Sequence, residues 1–130
     1  MNSFTLILRD SSSVTHIENV ASFVGEDASG SFGLLPSHAR FMTCLNLGLA
    51  RFHRLNEDWQ YLALPGAVLV FQDNSLNICA RRYFLDSDYD RITEALTRQL
   101  LAEEESLREV KKSLAQLEQE ILRRLWRLDK

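Results

Sequence analysis

The sequence predicts an α+β protein: an N-terminal antiparallel β-sandwich over residues 1–85, then a helical hairpin or one long helix over residues 86–130. Three observations predict it. From Phe4 to Phe84, short apolar runs of strand length alternate with turn residues. All five glycines and both prolines lie between Gly25 and Gly66, and neither type occurs from Ala67 onward. From Tyr89, apolar residues recur at three- and four-residue steps, the period of a helix face.

The strands read in order. Phe4, Leu6 and Leu8 alternate with Thr5, Ile7 and Arg9. Asn19 to Val24, Arg40 to Leu45, Leu49 to Arg54, Trp59 to Leu64, Ala67 to Phe71, Leu76 to Ala80 and Arg81 to Phe84 follow. Asn56-Glu57-Asp58, Leu64-Pro65-Gly66 and Asp73-Asn74-Ser75 carry the turn chemistry between them. Many short strands at this spacing build a sandwich or barrel. A head of this size buries one small core, to which a tail or a partner adds contacts.

The helical part opens with acids. Asp86, Ser87, Asp88 and Asp90 sit where backbone N–H groups lack partners and the helix dipole is positive. Tyr89, Ile92, Leu96 and Leu100 form one stripe. Leu107, Val110, Leu114, Leu117, Ile121, Leu125 and Leu128 form a second, close to a heptad seam. Ala102-Glu103-Glu104-Glu105-Ser106 interrupts burial without forbidding helix. The interruption is therefore either a hairpin bend, with Ser106 and Glu109 capping a second helix, or an exposed patch of a continuous one. The exit is basic: Arg123, Arg124, Arg127 and Lys130.

Composition bounds the function. With 130 residues and a formal net charge of −3, the chain has no electrostatic footprint for nucleic acid. Apolar runs such as Ala67 to Phe71 fall far short of the ~20 residues that cross a bilayer, and the start lacks a secretory pattern. Cys44 and Cys79 lie inside apolar strand-like runs and read as buried small hydrophobes, neither a disulfide nor a metal pair, in keeping with a reducing compartment. Asp86-x-Asp88-x-Asp90 opens like a calcium loop, but Arg91 and Thr97 stand where Gly and Glu are required, so the acids read as caps. Gly30-x-x-Gly33 lacks the Lys-Ser/Thr of a phosphate loop and reads as a turn device. His38 has no nucleophile paired with it by any local signature. No acid–base pair, metal spacing or nucleotide loop marks an enzyme, so no catalytic residue and no metal ligand is assigned.

The densest pattern is Glu26-Asp27-Ala28-Ser29-Gly30-Ser31-Phe32-Gly33-Leu34-Leu35-Pro36-Ser37-His38-Ala39-Arg40-Phe41-Met42-Thr43, loop chemistry at the edge of strands. Its Gly-x-Phe-Gly-Leu-Leu-Pro-x-His-Ala core resembles the epsilon subunits of F-type ATP synthases, most of all those of the alternate, N-ATPase type. Ser37 stands where that family's pattern has Gly, and Arg40 where Pro often follows.

The resemblance implies a non-catalytic rotor subunit. It would join the gamma shaft to the ring of membrane c subunits, peripheral on the cytoplasmic face of the bacterial inner membrane. The motif would turn towards the rotor, making Ser31, Phe32, His38 and Met42 candidate contacts. Some family members bind ATP through the tail. Asp88, Arg91 and Arg98 align with that signature, although Ser87 and Ile92 depart from it, so no cofactor is assigned. Tails of the family also press on the catalytic beta subunits and block ATP hydrolysis; Arg123, Arg124 and Arg127 are the candidate contacts here. Isolated, such a subunit is expected to be a compact monomer. The alternative is a free-standing sandwich module oligomerised by a C-terminal coiled coil, for which the near-heptad speaks.

Overall fold

The computed structural model describes residues 2–128; Lys130, counted above in the basic exit, lies outside the described residues. Nine strands form the head: β1 (Phe4–Arg9), β2 (Val14–Asp27), β3 (Gly30–Leu34), β4 (Phe41–Leu45), β5 (Gly48–Arg54), β6 (Trp59–Leu64), β7 (Ala67–Gln72), β8 (Ser75–Ala80) and β9 (Phe84–Asp86). They make two layers. One runs β4-β7-β8-β1-β2, the other β3-β2-β5-β6-β9.

β2 belongs to both layers. Its first half pairs with β1 and its second half with β5 and β3. Phe4 faces Val20 while Leu6 faces Ile17, and Val20 faces Arg54 while Ser22 faces His53. Each step leaves one extra residue on β2, and Asn19, within the first, takes a left-handed φ of 61°. Bulges of this kind bend a strand and carry it from one sheet to the other. Among the described residues all ladders are antiparallel except that β1 runs parallel to β8, so the expected antiparallel sandwich carries one parallel pair where the first strand returns beside the eighth.

Alternation places one side chain in two between the layers. Leu6, Phe23, Phe52, Leu62, Leu69, Phe71 and Leu76 are fully buried there. Gly25 sits among them because a Cβ would come within 2.9 Å of the Phe23 ring and 3.1 Å of Leu45 Cδ2. Three sequence readings change. The strand expected over Asn19 to Val24 runs from Val14 to Asp27, because its first part pairs with β1 and its last with β3. Residues 81–83 are irregular, and the last strand starts only at Phe84. The glycine-rich segment is partly strand, because β3 pairs with β2 through Gly30–Leu34. A two-residue turn at Ala28-Ser29 joins them, closed by Asp27, whose Oδ1 accepts from Ser29 N at 2.9 Å.

The tail is one uninterrupted helix, which decides against the hairpin among the described residues. It comprises α1 (Tyr89–Ala95), a π-helical segment (Leu96–Leu101) and α2 (Ala102–Leu128). Ser106 lies inside α2 and caps nothing, because the surrounding Glu and Ala are good helix formers and nothing breaks the ladder. Asp88 is the N-cap, accepting from Asp90 N at 2.9 Å and Arg91 N at 3.2 Å, and Asp86 Oδ1 accepts from Asp88 N at 2.9 Å. The acids act as caps, as their position before an apolar stripe dictates.

α1 lies on the outer face of the second sheet. Ile92 and Leu100 bury Ala63 there, with Leu96, Leu49, Tyr61 and Phe84 around them. Arg82 fastens the next turn: its guanidinium donates to Glu103 and, at 2.7 Å, to Gln99 Oε1, and lies over the Phe84 ring. Beyond that tie α2 stands away from the head. Leu107, Val110, Leu114, Leu117, Ile121 and Leu125 are all exposed.

Candidate functional site

Three surfaces carry the candidate residues. The first is the end of the sandwich built by the glycine-rich motif. Leu35-Pro36-Ser37-His38 is a tight turn in which His38 N donates to Leu35 O at 3.2 Å. Pro36 presets the first central position, and Ser37 occupies the second with φ 65°, the geometry of a type II turn. That position favours glycine, which accounts for the residue usual in this motif. Asn74, in the β7–β8 turn, braces the loop: its Oδ1 accepts from Ser37 N at 2.8 Å and its Nδ2 donates to Ser3 O at 2.7 Å.

His38 is exposed but held. Its Nδ1 donates to Ala39 O at 2.7 Å, and its ring meets the edges of Phe41 and Phe71, each at 5.8 Å. Phe32 meets Phe41 at 5.3 Å, and Phe4 meets Phe71 at 5.4 Å. The structure thus brings Phe32 and His38 into one aromatic chain and leaves Ser31 exposed on β3. Leu35, 62% exposed, crowns this end. Asp27 stiffens it from below. Hydrogen bonds from the Ser29 hydroxyl and then the Thr43 hydroxyl, the latter at 2.7 Å, hold its carboxyl below the usual range.

The second surface is the outer face of the β4-β7-β8-β1-β2 layer. Met42, Val70, Asn77, Ile7 and His16 form one cross-strand row. Cys44, Val68, Cys79, Arg9 and Val14 form the next. Met42 is 70% and Val68 48% exposed, and both cysteines are exposed. The expectation of buried cysteines is thereby corrected. An apolar run in a strand has two faces, and Cys44 and Cys79 occupy the outward parity beside Val68. Sequence reasoning missed this face except for Met42. The signal was available: β7 is apolar at both parities, as is a strand covered on both sides.

The third surface is the tail. Arg91 and Arg98 line one shallow groove with Glu94, Ala95 and Gln99, of about 240 Å³. Each arginine already has a carboxylate: Arg91 reaches Asp86 at 3.1 Å and Asp88 at 3.6 Å, and Arg98 reaches Glu94 at 2.8 Å. Arg98 also lines a larger open groove, about 610 Å³, with Arg81, Gln99, Glu103 and Leu107. Arg123 and Arg124 share Glu120 at 3.6 and 3.4 Å on the far end of α2, a turn before Arg127. Among the described residues no His, Cys, Asp and Glu cluster is placed to hold a metal, and no helix is long and apolar enough to cross a membrane.

Residues 4–85 match the model of the ATP synthase delta/epsilon chain β-sandwich domain. ATP synthase epsilon chain 2 of Cereibacter sphaeroides is 33% identical over 111 residues, which cover 85% of this chain and 76% of the relative. The chloroplastic ATP synthase epsilon chain of Pelargonium hortorum is 31% identical over 69% of this chain, an alignment spanning 66% of that relative's own length. In fold, the chain resembles a chain of the Euglena gracilis mitochondrial ATP synthase with a TM-score of 0.61 at 15% identity, covering 73% of this chain and 62% of that one. A chain from the central stalk and c-ring of the Tetrahymena thermophila mitochondrial ATP synthase gives 0.54 at 13% identity, covering 62% and 64%. The match over the whole head, joined to the identity along most of the chain, places this protein in the ATP synthase delta/epsilon family as an epsilon subunit of an F-type ATP synthase.

Proposed function

We propose that this epsilon subunit couples the gamma shaft to the c-ring as a rigid, non-catalytic head, residues 1–85, with a regulatory tail, residues 86–130. The outer face of the β4-β7-β8-β1-β2 layer docks on the shaft. One observation carries this: at the β4-β7-β8 end of that face Met42, Val68 and the two cysteines are exposed side by side, next to half-buried Val70. Contiguous exposed apolar surface of this kind marks a protein interface. The motif end, with Leu35 and His38 exposed and Ser31 and Phe32 beside them, faces the c-ring. The assembled subunit is then peripheral on the cytoplasmic face of the bacterial inner membrane.

The tail acts on the catalytic subunits. Arg123, Arg124 and Arg127 at its far end pair with acidic residues of a beta subunit and slow ATP hydrolysis. A bound nucleotide biases that engagement through Arg91 and Arg98, once Asp86, Asp88 and Glu94 yield them. Two measurements test the reading. Met42→Glu with Val68→Glu abolishes co-purification with the gamma subunit while the isolated head keeps its melting point; retained co-purification refutes docking by this face. Truncation after Asp86 leaves assembly intact and raises ATP hydrolysis; unchanged hydrolysis refutes the regulatory tail.

A further inference from the structure

The π-helical segment Leu96–Leu101 runs against the period of its own sequence. A plain α-helix, turning about 100° per residue, gathers Ile92, Leu96, Leu100 and the α2 stripe from Leu107 to Leu125 into one arc of about 100°. In that arc Leu100 lies about 80° round from Ile92, and Gln99 lies about 20° from it on the other side. The fold does otherwise. Ile92 and Leu100 are both fully buried with Ala63, and Gln99 is exposed. A π turn closes its hydrogen bond five residues back instead of four, so it absorbs about one extra residue and sets back everything after it by about 100°. That setback is what returns Leu100 to the Ile92 face. Arg82 grips the same register from the irregular segment 81–83, donating to Glu103 and, at 2.7 Å, to Gln99 Oε1. Neither proline nor glycine is present after Gly66 to disturb the helix, so docking imposes the irregularity.

We infer that the π segment is a two-register hinge. It is π while Leu100 and Arg82 hold the tail to the head and plain α once they let go, and α2 turns by about 100° relative to α1 between the two. Released, the tail carries a single apolar stripe from Ile92 to Leu125. Docked, the stripe of α2 is turned out of line with that of α1. Arg123, Arg124 and Arg127 turn with it, so the docking of Leu100 sets the direction that the far end of the tail faces. The hinge goes beyond the proposed regulation, because it belongs to the isolated chain and holds whether or not the tail slows hydrolysis.

The test deletes Thr97, an exposed residue inside the segment, from the full chain. Ile92 and Leu100 then stand seven residues apart, within about 20° of two full α turns, and no residue is left over. The expected result is a tail that stays docked as plain α-helix: hydrogen-exchange protection of its amides from Tyr89 to Leu101 rises at least about 5-fold, while the head's thermal transition is unchanged. In an ordinary α-helix the same deletion would swing Leu100 off Ala63, so protection that falls or stays level overturns the proposal. Scalar couplings across the hydrogen bonds, measured by NMR, read the register itself. The parent chain shows acceptors five residues back within 96–101, and Arg82→Ala with Leu100→Ala shows them four back. Acceptors four back in the parent overturn the π register. Acceptors that remain five back in the released variant, or loss of helix there, overturn the hinge.

Discussion

Leu100 is the deepest anchor of the tail, and removing it separates the tail's stability from that of the head. Its side chain is fully buried, with Ile92 and Ala63, on the outside of the second sheet. Leu→Ala in a core costs 2–5 kcal/mol, the lower part of that range applying where the surroundings can collapse. This satellite cluster has only three buried members and a rim of half-exposed side chains, so about 2–3 kcal/mol is expected. The cost falls on docking of α1 and the π segment, because none of the main core residues belongs to this cluster. At about 1.4 kcal/mol per tenfold, docking weakens by roughly 30- to 150-fold. Native-state hydrogen exchange reads it directly. In Leu100→Ala, amides of residues 89–101 lose protection by that factor, whereas those of β5 and β7 keep theirs. Leu114→Ala, on the exposed stripe, changes neither. Equal loss in tail and head would refute the separation and make the chain one cooperative unit.

Asp88→Ala removes the N-cap of α1 and destabilises the docked tail by about 1 kcal/mol, and Asp88→Asn by less; both are read from exchange at residues 90–95. Ser37→Gly relieves the left-handed turn position and raises stability by about 0.5 kcal/mol after the entropy of the freer unfolded chain is subtracted. Ser37→Val lowers it, and urea midpoints distinguish the two. Asp27 titrates below its ordinary value because the Ser29 and Thr43 hydroxyls bond its carboxylate. Its contribution is therefore fully present above the unfolded pKa, near 4, and is lost as pH falls through the lower folded value. The stability gap between the parent chain and Asp27→Asn shrinks from pH 7 to pH 2.5; a gap independent of pH refutes the role.

Local pattern determined much of this protein. Alternation fixed most strands within a residue or two, the β7–β8 turn was legible in Asp73-Asn74, and the acids before Tyr89 announced a capped helix. These depend on neighbours in the chain, where steric and hydrogen-bonding preferences act directly. The Pro36-Ser37-His38 motif was legible too, as a resemblance, and its turn chemistry explains the resemblance. Tertiary structure decided what depends on distant partners. It returned β1 parallel beside β8, bent β2 through two bulges into both layers, and made a strand of Gly30–Leu34 by pairing it with β2. It also chose which parity of β4, β7 and β8 faces out, exposing Cys44 and Cys79. An apolar run states that burial is available on two sides, but only the packed layer determines which side is filled. The tail shows the same limit. Its two stripes were plain in the sequence, yet only the fold shows the first spent on Ala63 and the second left open.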